Sequence, residues 1–357
     1  MTVEAWNGEA RPQVHPRDVF AALTERVRAS VDVRLAQMLE ERTKVAAAYG
    51  EEAGIALEAA RTLTTRGGKR TRAVLAAAAF EACGGGDSSV IAMAGVALEL
   101  LQTHFLIHDD WMDDDDLRRG GPSVHAQLRA RFGSTKTGDA MAILSGDYIA
   151  PLALEALLSV PLAPATVLEA ARILAHMQQD AVVGQCLDMC PSGGRVEVVH
   201  DLKTGSYSVR GPLLLGAALA GGSADARAAL VRYAAPLGIA FQLRDDLLGT
   251  FGDSRVTGKP VMSDIREGKR TALVDEVVKH PDAEPLLAKV LGIAEPDPRD
   301  LGALVQLMIT SGARDRVERR LRDLLTKARR ELVDAPFARA GALALDGAIT
   351  ALGDREK

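Results

Sequence analysis

The chain has 357 residues, 47% of them hydrophobic and 25% charged, with a net charge of −5 and an isoelectric point near 5.9; that mild acidity gives no footing for nucleic-acid binding. Three cysteines (Cys83, Cys186, Cys190) form no CxxC pair, which argues against a disulfide framework and for thiols in a reducing cytosol. No basic-then-apolar leader opens the chain and no uninterrupted apolar run reaches about 18 residues, so the expectation is a cytoplasmic protein without a membrane anchor.

Aromatic residues are only 4%, while Ala and Leu are abundant, a bias that favours helices. Residues 1–16 are polar, carry Pro12 and Pro16, and read as a loose extension. From Arg17 to about Tyr49 the apolar residues recur with helical period, as in Val19, Leu23, Val27 and Val31. Helical stretches then recur near 53–64, 70–83, 89–113, 137–158, 164–190, 196–220, 224–250, 268–279, 298–311 and 313–353, some with internal breaks. Gly84-Gly85-Gly86, Gly120-Gly121-Pro122, Pro161 with Pro164, and Gly221-Gly222 separate them. Strand alternation, internal repeats and long linkers are not evident. The expectation is therefore a single all-α domain over 17–357 behind the extension.

Two acidic segments stand out. The apolar helix that begins at Leu100 ends in His108-Asp109-Asp110-Trp111-Met112-Asp113, with Asp109 and Asp113 one turn apart on one face. Like charges at a helix C-terminus repel one another and the helix dipole, so a positive partner is required. Hard divalent cations with oxygen ligands fit that need, and Mg²⁺ commonly bridges carboxylates to phosphate. Arg118, Arg119 and Gly120 follow; the two guanidiniums can neutralise the acids or hold phosphate. Further on, Gln242, Asp245, Asp246 and Gly249 share one face of another apolar helix. Two helices presenting carboxylates across a cavity are a common way for a bundle to hold metal. Gly67-Gly68-Lys69-Arg70-Thr71-Arg72 places amides and cations at a helix start, where a diphosphate would fit. Lys203-Thr204 opens a polar break, and Lys259 and Lys269 flank a stretch rich in Gly, Pro, Ser and Asp.

In this order the segments resemble the trans-isoprenyl diphosphate synthases, the farnesyl and geranylgeranyl diphosphate synthases. Its GGKRxR pattern matches Gly67–Arg72. DDxxD followed by RRG matches Asp109, Asp110, Asp113, Arg118, Arg119 and Gly120. GQxxD matches Gly184, Gln185 and Asp188, and the Lys-Thr pair matches Lys203-Thr204. FQxxDD matches Phe241, Gln242, Asp245 and Asp246; the FGD…TGK stretch matches Phe251, Gly252, Asp253, Thr257, Gly258 and Lys259. The one departure is Gly249, where the family's second DDxxD motif has its last aspartate; Asp253, one turn on, is a candidate substitute.

The resemblance implies an all-helical bundle of the isoprenoid synthase type with a central cavity, usually homodimeric. It implies a reaction in which an allylic diphosphate (dimethylallyl, geranyl or farnesyl) ionises, its cation adds to isopentenyl diphosphate, and the departing diphosphate takes the proton. By that resemblance Asp109, Asp113 and Asp245, supported by Asp110 and Asp246, hold Mg²⁺, three ions in all. Arg118, Lys203, Lys259 and Lys269 grip the allylic diphosphate, and Lys69, Arg72, Gln102 and Arg119 hold isopentenyl diphosphate. Thr204 and Gln242 present oxygens to the cation. Phe105 lies one turn before Asp109 and Leu101 about one turn deeper, so with His104 they floor the tunnel for the growing chain. Bulky His104 and Phe105 argue for a short product, geranylgeranyl first and farnesyl next. His104 and His108 also have an ordinary reading as half-buried polar residues. Two rival functions are a class I terpene cyclase, whose second metal motif is not found and which leaves Gly67–Arg72 without a task, and a non-catalytic regulatory subunit, to which Gly249 points.

Overall fold

The structure, a computed structural model, describes residues 14–190, 198–199, 201–252, 262–266, 268–293 and 295–353, the side chains of Thr204 and Ser263 excepted. Residues 1–13 of the expected extension, and the Asp253–Lys259 stretch with Lys259 itself, lie outside that set. Pro16, assigned to the extension by sequence, is instead the first residue of α1, where a proline costs no hydrogen bond.

The described residues form 15 α-helices, one π-helical segment and one tiny hairpin. In α1 (Pro16–Tyr49) the buried side chains are Phe20, Leu23, Val27, Val31, Leu35 and Leu39, a stripe three and four residues apart. After α2 (Glu51–Thr65) comes α3 (Thr71–Ala82), in which Ala73–Phe80 are all buried. Its run of alanines lets neighbours approach closely on every side, and α1, α4 (Ser88–Met112), α8 (Gly211–Leu219) and α15 (Arg339–Gly353) surround it. Glycines extend those close approaches. A Cβ at Gly216 of α8 would lie 2.0 Å from the carbonyl oxygen of Ala76, and one at Gly341 of α15 would lie 2.0 Å from the nitrogen of Ala82.

The remaining helices are α5 (Val124–Phe132), α6 (Thr135–Leu158), α7 (Pro164–Met189), α9 (Ala224–Phe251), α10 (Ser263–Arg266), α11 (Ala272–Val277), α12 (Ala283–Val290), α13 (Pro298–Thr310) and α14 (Ala313–Arg330). The larger apolar core draws on α1–α9, α14 and α15. A smaller one lies between the C-terminal half of α9 and α10–α14, and Leu325 packs against both. α4 and α6 are long and apolar enough to cross a membrane by length and composition; in α4 the buried core accounts for that character.

Three sequence expectations are corrected. Leu117-Arg118 (β1) pairs antiparallel with Gly121-Pro122 (β2), although no strand was expected. Arg119 and Gly120 form the two-residue loop with φ of 52° and 72°; positive φ at both positions matches the twist of a tight hairpin. Strands of two residues are too short to show alternation. The expected helix over 196–220 is a π-helical segment, Asp201–Arg210, followed by α8. The expected 313–353 helix is two, α14 and α15, separated by a turn in which Asp334 has φ 59°. Helices α5 and α12 were not anticipated.

Candidate active site

The acidic end of α4 carries the charge problem that its sequence announces. Each acid there meets a cation from another element. Lys203 Nζ lies 3.3 Å from Asp109 Oδ1 and donates to Asp188 Oδ2 on α7 at 2.7 Å. Lys269 Nζ is 3.5 Å from Asp113 Oδ2. Arg118 Nε donates to Asp110 Oδ1 at 2.6 Å, its Nη2 reaches the same oxygen, and it lies 3.3 Å from Asp115 Oδ2. Arg129 of α5 donates to Asp114 at 2.8 Å and to Asp139 at 2.6 Å.

These pairings set the protonation of the site. Burial works against the carboxylate of Asp109, yet Lys203, Arg118 and Lys269 more than offset it and hold its pKa below the usual range. Asp110 is wholly buried, and desolvation pushes it up to about 6 against the pull of Arg118. Burial also opposes the charge of Lys203, but Asp109 and Asp188 together keep its ammonium above the ordinary lysine value.

The π-helical segment delivers Lys203, and two glycines make room for it. A Cβ at Gly184 of α7 would lie 2.7 Å from the backbone nitrogen of Lys203, and one at Gly238 of α9 would lie 3.0 Å from Gly205 Cα. The glycine of the Gly184-Gln185…Asp188 motif is thus a spacing requirement, and Asp188 is the acceptor that orients Lys203. π-Helical turns are rare and recur at functional sites.

A cavity of about 650 Å³ opens between α4, α7, the π-helical segment and α9. Asp109, Asp245, Lys203 and Gln185 lie along it with Phe105, Leu106, Met112 and Phe241. Both polar side-chain atoms of Gln185 are buried without a hydrogen-bond partner. Arg72 and Gln102 also line the cavity, joined by Tyr207, whose hydroxyl donates to Gln102 Oε1 at 2.7 Å. Arg72 lies 4.3 Å over the Tyr207 ring and donates to Ser208 Oγ at 2.6 Å. Phe105 meets that ring edge-on at 4.9 Å, and His104 stands 5.0 Å from Phe105. Leu101 is buried in the core one turn deeper.

The glycine-led basic segment divides into two roles. Gly67 and Gly68 have φ of 93° and 138°, and Arg70 has φ 51°. Arg119 donates to the carbonyls of Gly67 and Leu63 at 2.9 and 3.3 Å, which ties the β1–β2 loop to this turn. Lys69 is exposed beside it. Arg70 turns inward, donating to Asp32, Glu99 and the carbonyl of Thr64.

On the second motif Asp245 faces the cavity. Asp246 is buried and each of its oxygens accepts a hydrogen bond: Gln242 Nε2 donates to its Oδ1 at 2.9 Å and Ala272 N to its Oδ2 at 3.0 Å, joining α9 to α11. A Cβ at Gly249 would lie 3.2 Å from Asp264 Oδ2, so a carboxylate from α10 already occupies the space beside that glycine. Asp264, Tyr207 and the inward turn of Arg70 were not read from sequence. Gln185 and Asp188 were marked in the sequence by the Gly184-Gln185…Asp188 motif, though without a role for either.

Carboxylates from α4 and α9 converge on one cavity, and Asp110 Oδ2 is a buried oxygen without a hydrogen-bond partner. This hard-oxygen set suits magnesium. The cations around it suit diphosphate.

Residues 54–308 match the polyprenyl synthetase family. The chain is 36% identical over 254 residues to a geranylgeranyl diphosphate synthase of Saccharolobus solfataricus, covering 68% of this chain and 73% of that protein. It is 38% identical over 229 residues to a (2E,6E)-farnesyl diphosphate synthase of Mycobacterium bovis, covering 62% and 60%. Its fold is similar to the crystal structure of a geranylgeranyl pyrophosphate synthase from Corynebacterium glutamicum complexed with isoprenyl diphosphate and magnesium. The TM-score is 0.84 at 30% identity, over 96% of this chain and 100% of that one.

Proposed function

The chain belongs to the polyprenyl synthetase family and is a short-chain prenyl diphosphate synthase of a magnesium-using kind, and from that premise we propose that its product is geranylgeranyl diphosphate. The observation that carries this reading is the cavity: charged at Asp109, Asp245 and Lys203, apolar beyond, and walled by Phe105 and His104. The names of the Saccharolobus and Corynebacterium relatives point the same way. Farnesyl diphosphate is the second reading, favoured by the Mycobacterium relative.

In this reading Asp109, Asp113 and Asp245 hold three magnesium ions, with Asp110 and Asp246 fixed behind them by Arg118 and Ala272. Bound magnesium supplies positive charge where the leaving diphosphate becomes negative. Lys203, Arg118, Lys259 and Lys269 grip that diphosphate. Its C–O bond breaks with the electron pair staying on oxygen, and the π electrons of isopentenyl diphosphate form the new C–C bond. A proton then leaves to the departing diphosphate. Thr204 and Gln242 offer oxygen dipoles to the cation, and Arg72, Lys69, Gln102 and Arg119 hold isopentenyl diphosphate. Fixed charges aimed at developing charge are the largest source of rate in such a site.

The functional unit we propose is a homodimer. Leu144, Tyr148 and Leu158 on α6 and Val182 and Val183 on α7 are exposed, and a second copy covering them would remove apolar surface from water. Sedimentation of the purified protein tests this, a monomer overturning it.

The function is tested by incubating the protein with Mg²⁺, isopentenyl diphosphate and each allylic primer in turn, and sizing the dephosphorylated products by mass spectrometry. A 20-carbon alcohol is expected. A 15-carbon alcohol would move the assignment to farnesyl, and folded protein that elongates no primer would defeat it.

A further inference from the structure

His104 and His108 lie one turn apart on α4, and the structure brings Asp147 of α6 to them; one ligand atom from each of the three lies within 4.8 Å of the others. The ring orientations are determined by backbone carbonyls. His104 Nδ1 is 3.0 Å from the carbonyl oxygen of Gly146, and His108 Nδ1 is 2.9 Å from that of His104. A carbonyl oxygen can only accept, so each Nδ1 carries the hydrogen, and in the neutral imidazole, the form that binds metal, each Nε2 presents a lone pair. His108 Nε2 lies 3.4 Å from Asp147 Oδ1. Metal-ligating histidines are commonly held in this way, the second nitrogen donating to a carbonyl.

The seat is also built from the α6 side. A Cβ at position 146 would lie 2.2 Å from His108 Cε1 and 2.7 Å from its Nδ1, so only glycine admits the ring in this position. The two rings stand edge to face at 4.5 Å.

We propose that His104, His108 and Asp147 form a second metal site, for one divalent transition-metal ion of the zinc class, separate from the aspartates that serve magnesium. Two imidazole nitrogens and one carboxylate make a borderline-soft donor set that magnesium does not favour and zinc, cobalt and nickel do. Three protein ligands leave one position of a tetrahedral ion open. Both rings line the cavity, which gives an ion a way in. The ion would join α4 to α6 at the apolar part of the cavity.

The test uses full-length protein in which Cys186 and Cys190, both exposed on or just after α7, are changed to serine so that thiols do not compete. Cobalt(II) is titrated in a large excess of Mg²⁺ and followed by its visible absorption, whose intensity separates four-coordinate from six-coordinate ions. One equivalent of four-coordinate cobalt, displaced by zinc, is expected. Asp147→Ala, an exposed position, should weaken binding by at least about tenfold, the loss that even an outer partner of a metal site causes. His104→Gln should do the same while circular dichroism reports the fold. Absence of a four-coordinate band, or equal affinity in the parent and Asp147→Ala, overturns the proposal.

Discussion

Arg70 Nη1 donates to Glu99 Oε2 over 2.8 Å in the interior, where the two side chains are only 2% and 4% exposed. A residue that heads a basic motif is therefore a structural tie between α3 and α4, with Asp32 of α1 as its second carboxylate. Removing one partner leaves the other charge buried. Glu99→Gln should cost about 3 kcal/mol, near the lower end for breaking a buried pair because Asp32 remains. Arg70→Met with Glu99→Leu should cost less than the sum of the two single changes. Urea denaturation of the parent, Glu99→Gln, Arg70→Met, Glu99→Leu and the double variant measures both.

Lys203→Ala should lower kcat by about a hundredfold or more, the usual loss when one fixed charge is removed from a reacting centre. The structure adds that Asp188→Asn should act in the same direction and more weakly, because Asp188 orients Lys203. Steady-state kinetics at saturating Mg²⁺ distinguish the two, and a Lys203→Ala enzyme of parental kcat would remove Lys203 from the site.

Phe105→Ala should lengthen the product by at least one five-carbon unit. The ring fills the cavity wall and rests edge-on against Tyr207, so its loss opens space without disturbing Asp109 a turn away. Mass spectrometry of the products reads the change directly; an unaltered chain length would place the floor elsewhere.

Gly249→Asp restores the letter of an acidic motif and should fail to improve activity. The new carboxylate would start 3.2 Å from Asp264 Oδ2, and like charges in contact repel. Thermal unfolding should show a lower Tm for Gly249→Asp and recovery on adding Asp264→Asn. An increase in magnesium affinity from Gly249→Asp alone would contradict this account.

Gly216→Val should destabilise by at least about 1–3 kcal/mol, the usual cost of overpacking a core. Its Cβ would meet the backbone of Ala76 at 2.0 Å, and backbone cannot rotate aside as a side chain can. Chemical denaturation measures the loss.

The all-helical fold was legible in the recurrence of apolar residues, as the stripe from Leu23 to Leu39 illustrates. Phe20 rather than Val19 proved to be its buried first member, since a helical phase is fixed only by what lies opposite. The acidic motifs announced the charged end of the cavity because repelling carboxylates demand a partner. Which partner takes which acid was not legible, because Lys203 and Lys269 arrive from segments far along the chain. The hairpin at Arg119-Gly120 escaped for a different reason: turn geometry there rests on two residues with positive φ, and arginine does not advertise it.

The packing of α15 has a consequence for how the protein is made. Ala338 N donates to the carbonyl of Ala82 at 2.8 Å, and Tyr233 donates its hydroxyl to the carbonyl of Leu345 at 2.8 Å, so this late segment closes both α3 and α9. On the ribosome α3 emerges early and has to wait for α15 before its alanine-lined surface is covered. A chain stopped before Arg339 would hold an open apolar seat, and chaperones that bind exposed apolar surface would retain it. Attaching the missing helix as a separate peptide would be expected to release it.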